Sequence, residues 1–257
     1  MKRIRGEKTF KLLSRLLMVV FMAGLWRIFN RRSTERIPSQ EGIEDPEIAA
    51  AFEWVSRSPQ MRWIRHFVIS RAAMLKDQGE AVDLGCGAGQ LVMGIARKAP
   101  GLHVTGIDLS ETLLADARRA AQQEGLEDRV DFRLGNVEEI PFPDQALDLV
   151  ISTASLHHWT RPVKVLNEID RVLKPGGVYY VLDLRRDMTL PFYLLIWFAT
   201  QFIVPAALHQ VNEPMSSRNA SYIVQELADL VQQSRLGGAQ ITTGPIWIAL
   251  MGKKSLA

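Results

Sequence analysis

A chain of 257 residues, 47% hydrophobic and 23% charged, has ordinary globular composition and enough length for one sizeable domain with a full core. Its single cysteine, Cys86, excludes an intrachain disulfide and fits a reducing compartment. Residues 1–36 hold ten basic and two acidic residues, so of the net charge of +3 this segment carries +8 and the rest of the chain −5, which excludes a basic nucleic-acid-binding domain.

The first element is Leu16 to Trp26, an uninterrupted apolar run inside a looser segment from Leu12 to Phe29. It matches a signal-peptide core in length, but no small-residue cleavage site follows it, and Arg27, Arg31 and Arg32 do. A span needs about 20 residues, and positive charge on both flanks disfavours pushing either end across. We therefore expect an interfacial helix on an anionic membrane surface, at the cytoplasmic face. A single span, a helix packed on its own domain or on another subunit, and a mitochondrial presequence remain as alternatives. Residues 37–47, with Pro38, Gly42 and Pro46, are expected as a linker, and residues 48–257 as the folded domain.

Residues 48–75 have helical periodicity with Phe52, Trp54, Trp63 and Phe67, interrupted by Pro59. From residue 80, short β-rich runs alternate with helical stretches. Strands are expected at Ala81–Leu84, His103–Ile107, Val130–Leu134, Ala146–Ser152 and Val178–Leu184. The helices between them are Gln90–Ala99, Glu111–Glu124 (capped by Ser110 and closed by Gly125) and Pro162–Leu173, ended by Pro175-Gly176-Gly177. This alternation implies a doubly wound α/β sheet, mostly parallel. An uncharged insert, Thr189 to Leu208 within 188–209, follows the fifth strand. Then come a helix at Ser221–Gln232 and an antiparallel hairpin, Ala239–Thr243 with Ile246–Met251.

Chemistry is concentrated in Val82-Asp83-Leu84-Gly85-Cys86-Gly87-Ala88-Gly89, a strand running into a glycine turn that opens a helix. Glycines allow the tight turn and let a ligand lie on bare backbone. A dinucleotide fingerprint would want a small residue at Gln90. The next strand ends in Asp108, an acid placed to accept both hydroxyls of a ribose. His157 and His158 follow the fourth strand at the sheet edge where ligands bind, and an imidazole there can take a proton near neutral pH. Cys86 sits in a packed turn with no basic neighbour and is expected to be inert. No metal-ligand spacing is present.

These features resemble the class I S-adenosylmethionine-dependent methyltransferases, in the small-molecule group that includes the quinone-biosynthesis C-methylases. The resemblance covers about residues 50 to 252. It rests on VDLGCGAGQ at 82–90, GIDLS at 106–110, GNVEEIPFPDQALDLVIS at 135–152, LHHW at 156–159 and EIDRVLKPGGVYYVLD at 168–183. It implies that Asp83, Gly85, Cys86, Gly87 and Gly89 hold the amino-acid end of the cofactor, S-adenosylmethionine. Asp108 would bind the ribose and Leu109 would lie on the adenine. Asn136 stands where relatives often have Asp, and would accept from the adenine amino group; Val137 would supply a backbone N–H. Ser152 and Thr153 would face the cofactor and the substrate entrance.

Methyl transfer asks mainly for an in-line, dry site, so no base is obligatory. A membrane span by the 189–208 insert would separate the C-terminal hairpin from its sheet, so the insert is expected to roof an apolar acceptor pocket, with Trp197 and Phe198 against the acceptor. A helix pair on the domain core or at a dimer contact is the alternative. The expected function is methylation of a small apolar or lipid-like acceptor at the membrane face. The competing readings are a membrane-tethered, cofactor-binding interaction protein without catalysis, a methyltransferase of a soluble polar metabolite, and a nicotinamide-dependent oxidoreductase.

Overall fold

Apolar runs bounded by Gly and Pro become strands, and the amphipathic stretches between them become helices. The computed structural model describes residues 35–39, 45–236 and 239–256. Of the expected membrane segment, 1–36, residues 1–34, with Leu16 to Trp26, lie outside the described residues.

In chain order the elements are α1 (Pro46–Ser56), α2 (Pro59–Leu75), β1 (Gln78–Leu84), α3 (Gln90–Lys98), β2 (Gly101–Asp108), α4 (Glu111–Gln123), β3 (Val130–Leu134) and β4 (Leu147–Thr153). A 3-10 turn at Leu156–His158 leads to α5 (Pro162–Val172), β5 (Leu173–Leu184), α6 (Leu190–Phe202), α7 (Ala206–Gln210), α8 (Met215–Ala220), α9 (Val224–Gln232), β6 (Gln240–Thr243) and β7 (Trp247–Lys253). The sheet order is β3-β2-β1-β4-β5-β7-β6. The first five strands are parallel, and β7 runs antiparallel between β5 and β6. That is the expected doubly wound sheet with a C-terminal hairpin.

Burial on both faces explains the continuous apolar character of the central strands. On one face Leu149 and Ile151 pack with Leu91, Val92 and Ile95 of α3 and Leu114 of α4. On the other, Val82 and Val150 pack with Val165, Leu166 and Ile169 of α5 and Leu227 of α9. Each such side chain stabilises the fold by roughly 1.5–3 kcal/mol. Ser110 caps α4 as expected, accepting from the Leu113 N–H at 3.3 Å, and Gly125 takes the left-handed conformation after it, with φ 63°.

The aromatic stretch 48–75 is two helices parted at Pro59, as its interruption there implied. Some boundaries differ from expectation. Strand β5 starts at Leu173, so Pro175-Gly176-Gly177 lies inside a strand; an irregular register between Leu147 and Leu149 absorbs it. The expected 221–232 helix starts at Val224, because Tyr222 is extended and bridges Arg185. The insert is helical, as α6 and α7. Of the expected linker, residues 37–39 are tied to the domain: the Ile37 N–H donates to Asn219 O at 3.1 Å, and Ser39 Oγ lies 2.8 Å from His158 Nδ1.

Gly89 opens α3 at φ 73°, and a Cβ there would stand 2.5 Å from the Phe132 ring and 2.9 Å from Ala117 Cβ. Positive φ costs an L-residue roughly 1–2 kcal/mol, and overpacking adds a similar amount. Gly89→Ala is therefore expected to destabilise the protein by about 2–4 kcal/mol, seen as a lower urea midpoint at unchanged slope.

Candidate functional site

The site is built where β1, β2 and β4 end side by side. Gly85, Gly87 and Gly89 all have positive φ, at 77°, 53° and 73°. The Gly85 and Cys86 N–H groups donate to Ile107 O at 2.8 and 3.0 Å, which folds the turn over the end of β2. Asp108 then locks it: one carboxylate oxygen accepts from the Gly87 N–H at 2.7 Å, the other from the Ser110 N–H at 3.0 Å. The Gly135 N–H donates to Asp108 O at 3.0 Å, tying in the loop after β3. A Cβ at Gly85 would stand 2.2 Å from Ser155 Oγ, whereas at Gly87 it would meet nothing within 4 Å. Gly85 is thus demanded by packing, and Gly87 leaves bare backbone beside open space.

Burial dominates the electrostatics. Asp83 is 2% exposed, and burial, with the neighbouring Asp108, pushes its carboxyl up to about 8. Burial also raises Asp108, against the backbone N–H bonds it accepts from Ser110, Gly87 and Leu109. The Cys86 thiol is raised well above its usual value by burial and by both carboxylates, so Cys86 packs and does not act as a nucleophile.

Strand parity separates two residues expected to act together. Ser152 is buried and donates to Leu84 O at 2.8 Å, so its hydroxyl hydrogen is engaged within the sheet. Thr153 points to the other face, with Oγ1 unpartnered. Asn136 is exposed, and its Oδ1 accepts from the Glu138 N–H at 2.8 Å, which leaves one lone pair for a ligand. Leu109 is exposed beside Asp108, and Val137 is half-buried in the same loop as Asn136.

Thr153 and Ala154 open on an apolar cleft of about 220 Å³. Its walls are Met61, Trp63, Ile64 and Phe67 of α2, Leu182 to Leu184 at the end of β5, and Ile246 and Trp247 at the start of β7. Trp197 and Phe198 do not line it; they lie on the outer side of α6. The α2 aromatics carried only a helical pattern in the sequence, since nothing local shows which face of a helix meets a strand end.

The histidines diverge. His157 is 2% exposed, and its Nδ1 lies 2.8 and 2.9 Å from the two Asp183 oxygens, while its backbone N–H donates to the same carboxylate at 2.8 Å. A carboxylate can only accept here, so Nδ1 bears a hydrogen, while Nε2 has no hydrogen-bond partner. His158 packs its ring 4.0 Å from that of His157 and pairs with Ser39 through Nδ1. Glu213, also buried and raised by burial, faces His157 electrostatically. Sequence reasoning missed Asp183 and Glu213. For Asp183 a signal existed, an acid ending an otherwise apolar strand.

Three buried polar atoms without partners thus share this edge: Asp83 Oδ1, Thr153 Oγ1 and His157 Nε2. Each costs about 1–3 kcal/mol while unmet, so this is where a ligand would stabilise the fold most. Among the described residues no group of three or more His, Cys, Asp or Glu could hold a metal ion.

A methyltransferase-domain family model matches residues 82–181. The chain is 30% identical to Methyltransferase GfsG of Streptomyces halstedii over 69% of its own length and 65% of that protein's. It is 36% identical to a demethylmenaquinone methyltransferase of Thermus thermophilus, covering 53% of this chain and 62% of that protein. For the demethylmenaquinone methyltransferase of Lactiplantibacillus plantarum the figures are 33%, 62% and 71%. The chain thus spans just under two thirds of the length of the first two of these relatives. The structure is similar to a SAM-dependent methyltransferase from Aquifex aeolicus, with TM-score 0.60 and 18% identity over 82% of this chain and 99% of that one. It is also similar to the plantazolicin methyltransferase BamL in complex with SAH, with TM-score 0.64 and 14% identity over 81% and 91%. Sequence motifs, sheet order and site geometry converge on one assignment: the chain belongs to the class I S-adenosylmethionine-dependent methyltransferases.

Proposed function

We propose that this chain transfers a methyl group from S-adenosylmethionine to a small apolar acceptor carrying an ionisable hydroxyl or acidic carbon. The observation that carries this is the set of unpaired buried atoms, Asp83 Oδ1, Thr153 Oγ1 and His157 Nε2, on the edge where an apolar cleft opens. The residues fit the cofactor. Asp83 has an oxygen free for its amino group, and the bare backbone at Gly87 admits its amino-acid end. Asp108 would take the ribose, and Leu109, Asn136 and Val137 the adenine. When bound, the cofactor supplies a methyl group already activated on a sulfonium.

The protein's part is placement, dryness and one proton. The cleft walls exclude water and bind the apolar body of the acceptor. The sulfonium would supply the methyl group by breaking its S–methyl bond and keeping the electron pair on sulfur, and the proton lost by the acceptor's nucleophilic atom would pass to Nε2 of His157. Asp183 holds the imidazole in the required tautomer and stabilises the imidazolium that results. Asp183 stands in the strand between Leu182 and Leu184 of the cleft wall, with both its oxygens turned to His157. We further place the enzyme at the cytoplasmic face of an anionic membrane, on the strength of the basic surplus in residues 1–36 beside Leu16 to Trp26.

Calorimetry is expected to show S-adenosylhomocysteine binding, with NAD much weaker, and Asp108→Ala is expected to weaken the former by about 1–3 kcal/mol. Equal affinity for NAD would contradict the proposal.

Asp83 gives that binding a pH dependence. Its carboxyl is held near 8 in the free protein, and an ammonium beside it favours the ionised form. Affinity for S-adenosylhomocysteine should therefore fall as pH drops below about 8, and Asp83→Asn should flatten the profile.

Transfer itself is measurable without knowing the acceptor, as tritium moved from methyl-labelled S-adenosylmethionine into a solvent-extractable product of a cell-membrane extract. His157→Gln is expected to lower that transfer by about 10²–10⁴-fold with cofactor affinity unchanged. Asp183→Asn should lower it in the same direction. Unaltered transfer in His157→Gln would remove the base from the mechanism.

A further inference from the structure

Helix α6 has no charged residue and hides very little of itself. Only Tyr193 and Thr200 are buried. The Tyr193 ring takes the Arg218 guanidinium at 5.0 Å, and the Thr200 hydroxyl donates within the helix to Ile196 O at 2.9 Å. Leu194, Leu195, Phe198 and Phe202 fall on one face, with Trp197 at its edge. Leu195 is 58% exposed, Trp197 43%, Phe198 48% and Phe202 67%. The Phe202 ring touches those of Phe198, at 4.9 Å, and Trp197, at 6.4 Å, so the patch is continuous. A contiguous, uncharged aromatic surface of this kind marks an interaction site.

The position at which the chain enters the domain, and the charge it carries, argue for one occupant. Arg36 Nε donates to Ala220 O at 2.6 Å and its guanidinium lies 4.2 Å over the Tyr222 ring, while the Ile37 N–H donates to Asn219 O. Asn219 and Ala220 end α8, which packs against α6. The chain that carries the +8 surplus and the Leu16 to Trp26 run therefore joins the domain at the end of α8, the helix that packs against α6. A second copy of this chain would not explain basic charge on the adjoining segment; an anionic lipid surface does.

We propose that the outer face of α6 inserts into the surface of an anionic bilayer, as a second contact alongside the N-terminal segment. Aromatic residues favour that depth, where ring and headgroup meet. The helix is 13 residues, too short to cross, and among the described residues no helix is long and apolar enough to cross a membrane. Trp197 and Phe198 are thereby assigned to the membrane rather than to the acceptor. This inference rests on the location proposed above and is independent of the transfer chemistry.

The experiment uses the full-length protein with phosphatidylcholine vesicles, with and without phosphatidylglycerol, at low salt. Wild type should co-float with the anionic vesicles, and Leu195→Ser combined with Phe202→Ser should lower partitioning by about tenfold or more. S-adenosylhomocysteine affinity should be unchanged in that variant, and circular dichroism should match wild type. Lipids brominated in the acyl chains should quench wild-type emission more than that of Trp197→Phe. The inference is overturned if wild type stays free of anionic vesicles, if the double variant partitions like wild type, or if Trp197→Phe is quenched to the same extent. It is also overturned if wild type is a dimer in solution that the double variant breaks, for a second copy then covers the face. Loss of S-adenosylhomocysteine binding in wild type would instead count against the transferase proposal and leave the partitioning result standing.

Discussion

The Asp108 carboxylate, bonded to the Gly87 and Ser110 N–H groups, is the contact on which the rest of the site depends. It fixes the glycine turn, caps the approach to α4 and brings a second carboxyl close to Asp83 in a buried space. Two like acids cannot both ionise there without a counter-charge, and burial raises both. A cationic ligand with hydroxyls relieves that tension. The protein stores an electrostatic mismatch at the strand ends, and the proposed cofactor resolves it.

Around that contact, strand parity divides the labour. Side chains alternate along β4, so Ser152 secures β1 while its neighbour Thr153 opens on the cleft. On β5, Leu182 and Leu184 shape the cleft wall, and Asp183 between them turns its oxygens to His157. A one-residue slip in either strand would exchange these roles. The central parallel pairing, buried on both faces, guards against that slip and so protects the chemistry.

Local signals were the legible ones. The glycine turn, Asp108, the Ser110 cap and the alternation of strand and helix all appear in contiguous residues, and so does the family. What the sequence hid depends on distant partners. Pro175-Gly176-Gly177 is punctuation in any local reading, yet β5 pairs with β4 on both sides of it, and Gly176 and Gly177 exchange hydrogen bonds with the backbone of Lys254. Asn136 looked free for adenine, but it bonds its own loop first. Trp63 and Trp247 lie far apart in sequence and line one cleft only because the fold brings α2 to the strand ends. The uncharged insert suggested a lid, since composition shows that a helix is apolar but not which way its face points.

A crystal structure with S-adenosylhomocysteine would test the central claim most directly. The account predicts the ligand's amino group on Asp83 Oδ1, its ribose hydroxyls on Asp108 and its sulfur directed past Thr153 toward the cleft between α2 and β7. A ligand whose sulfur faces away from that cleft, or whose amino group leaves Asp83 Oδ1 unpaired, would contradict it.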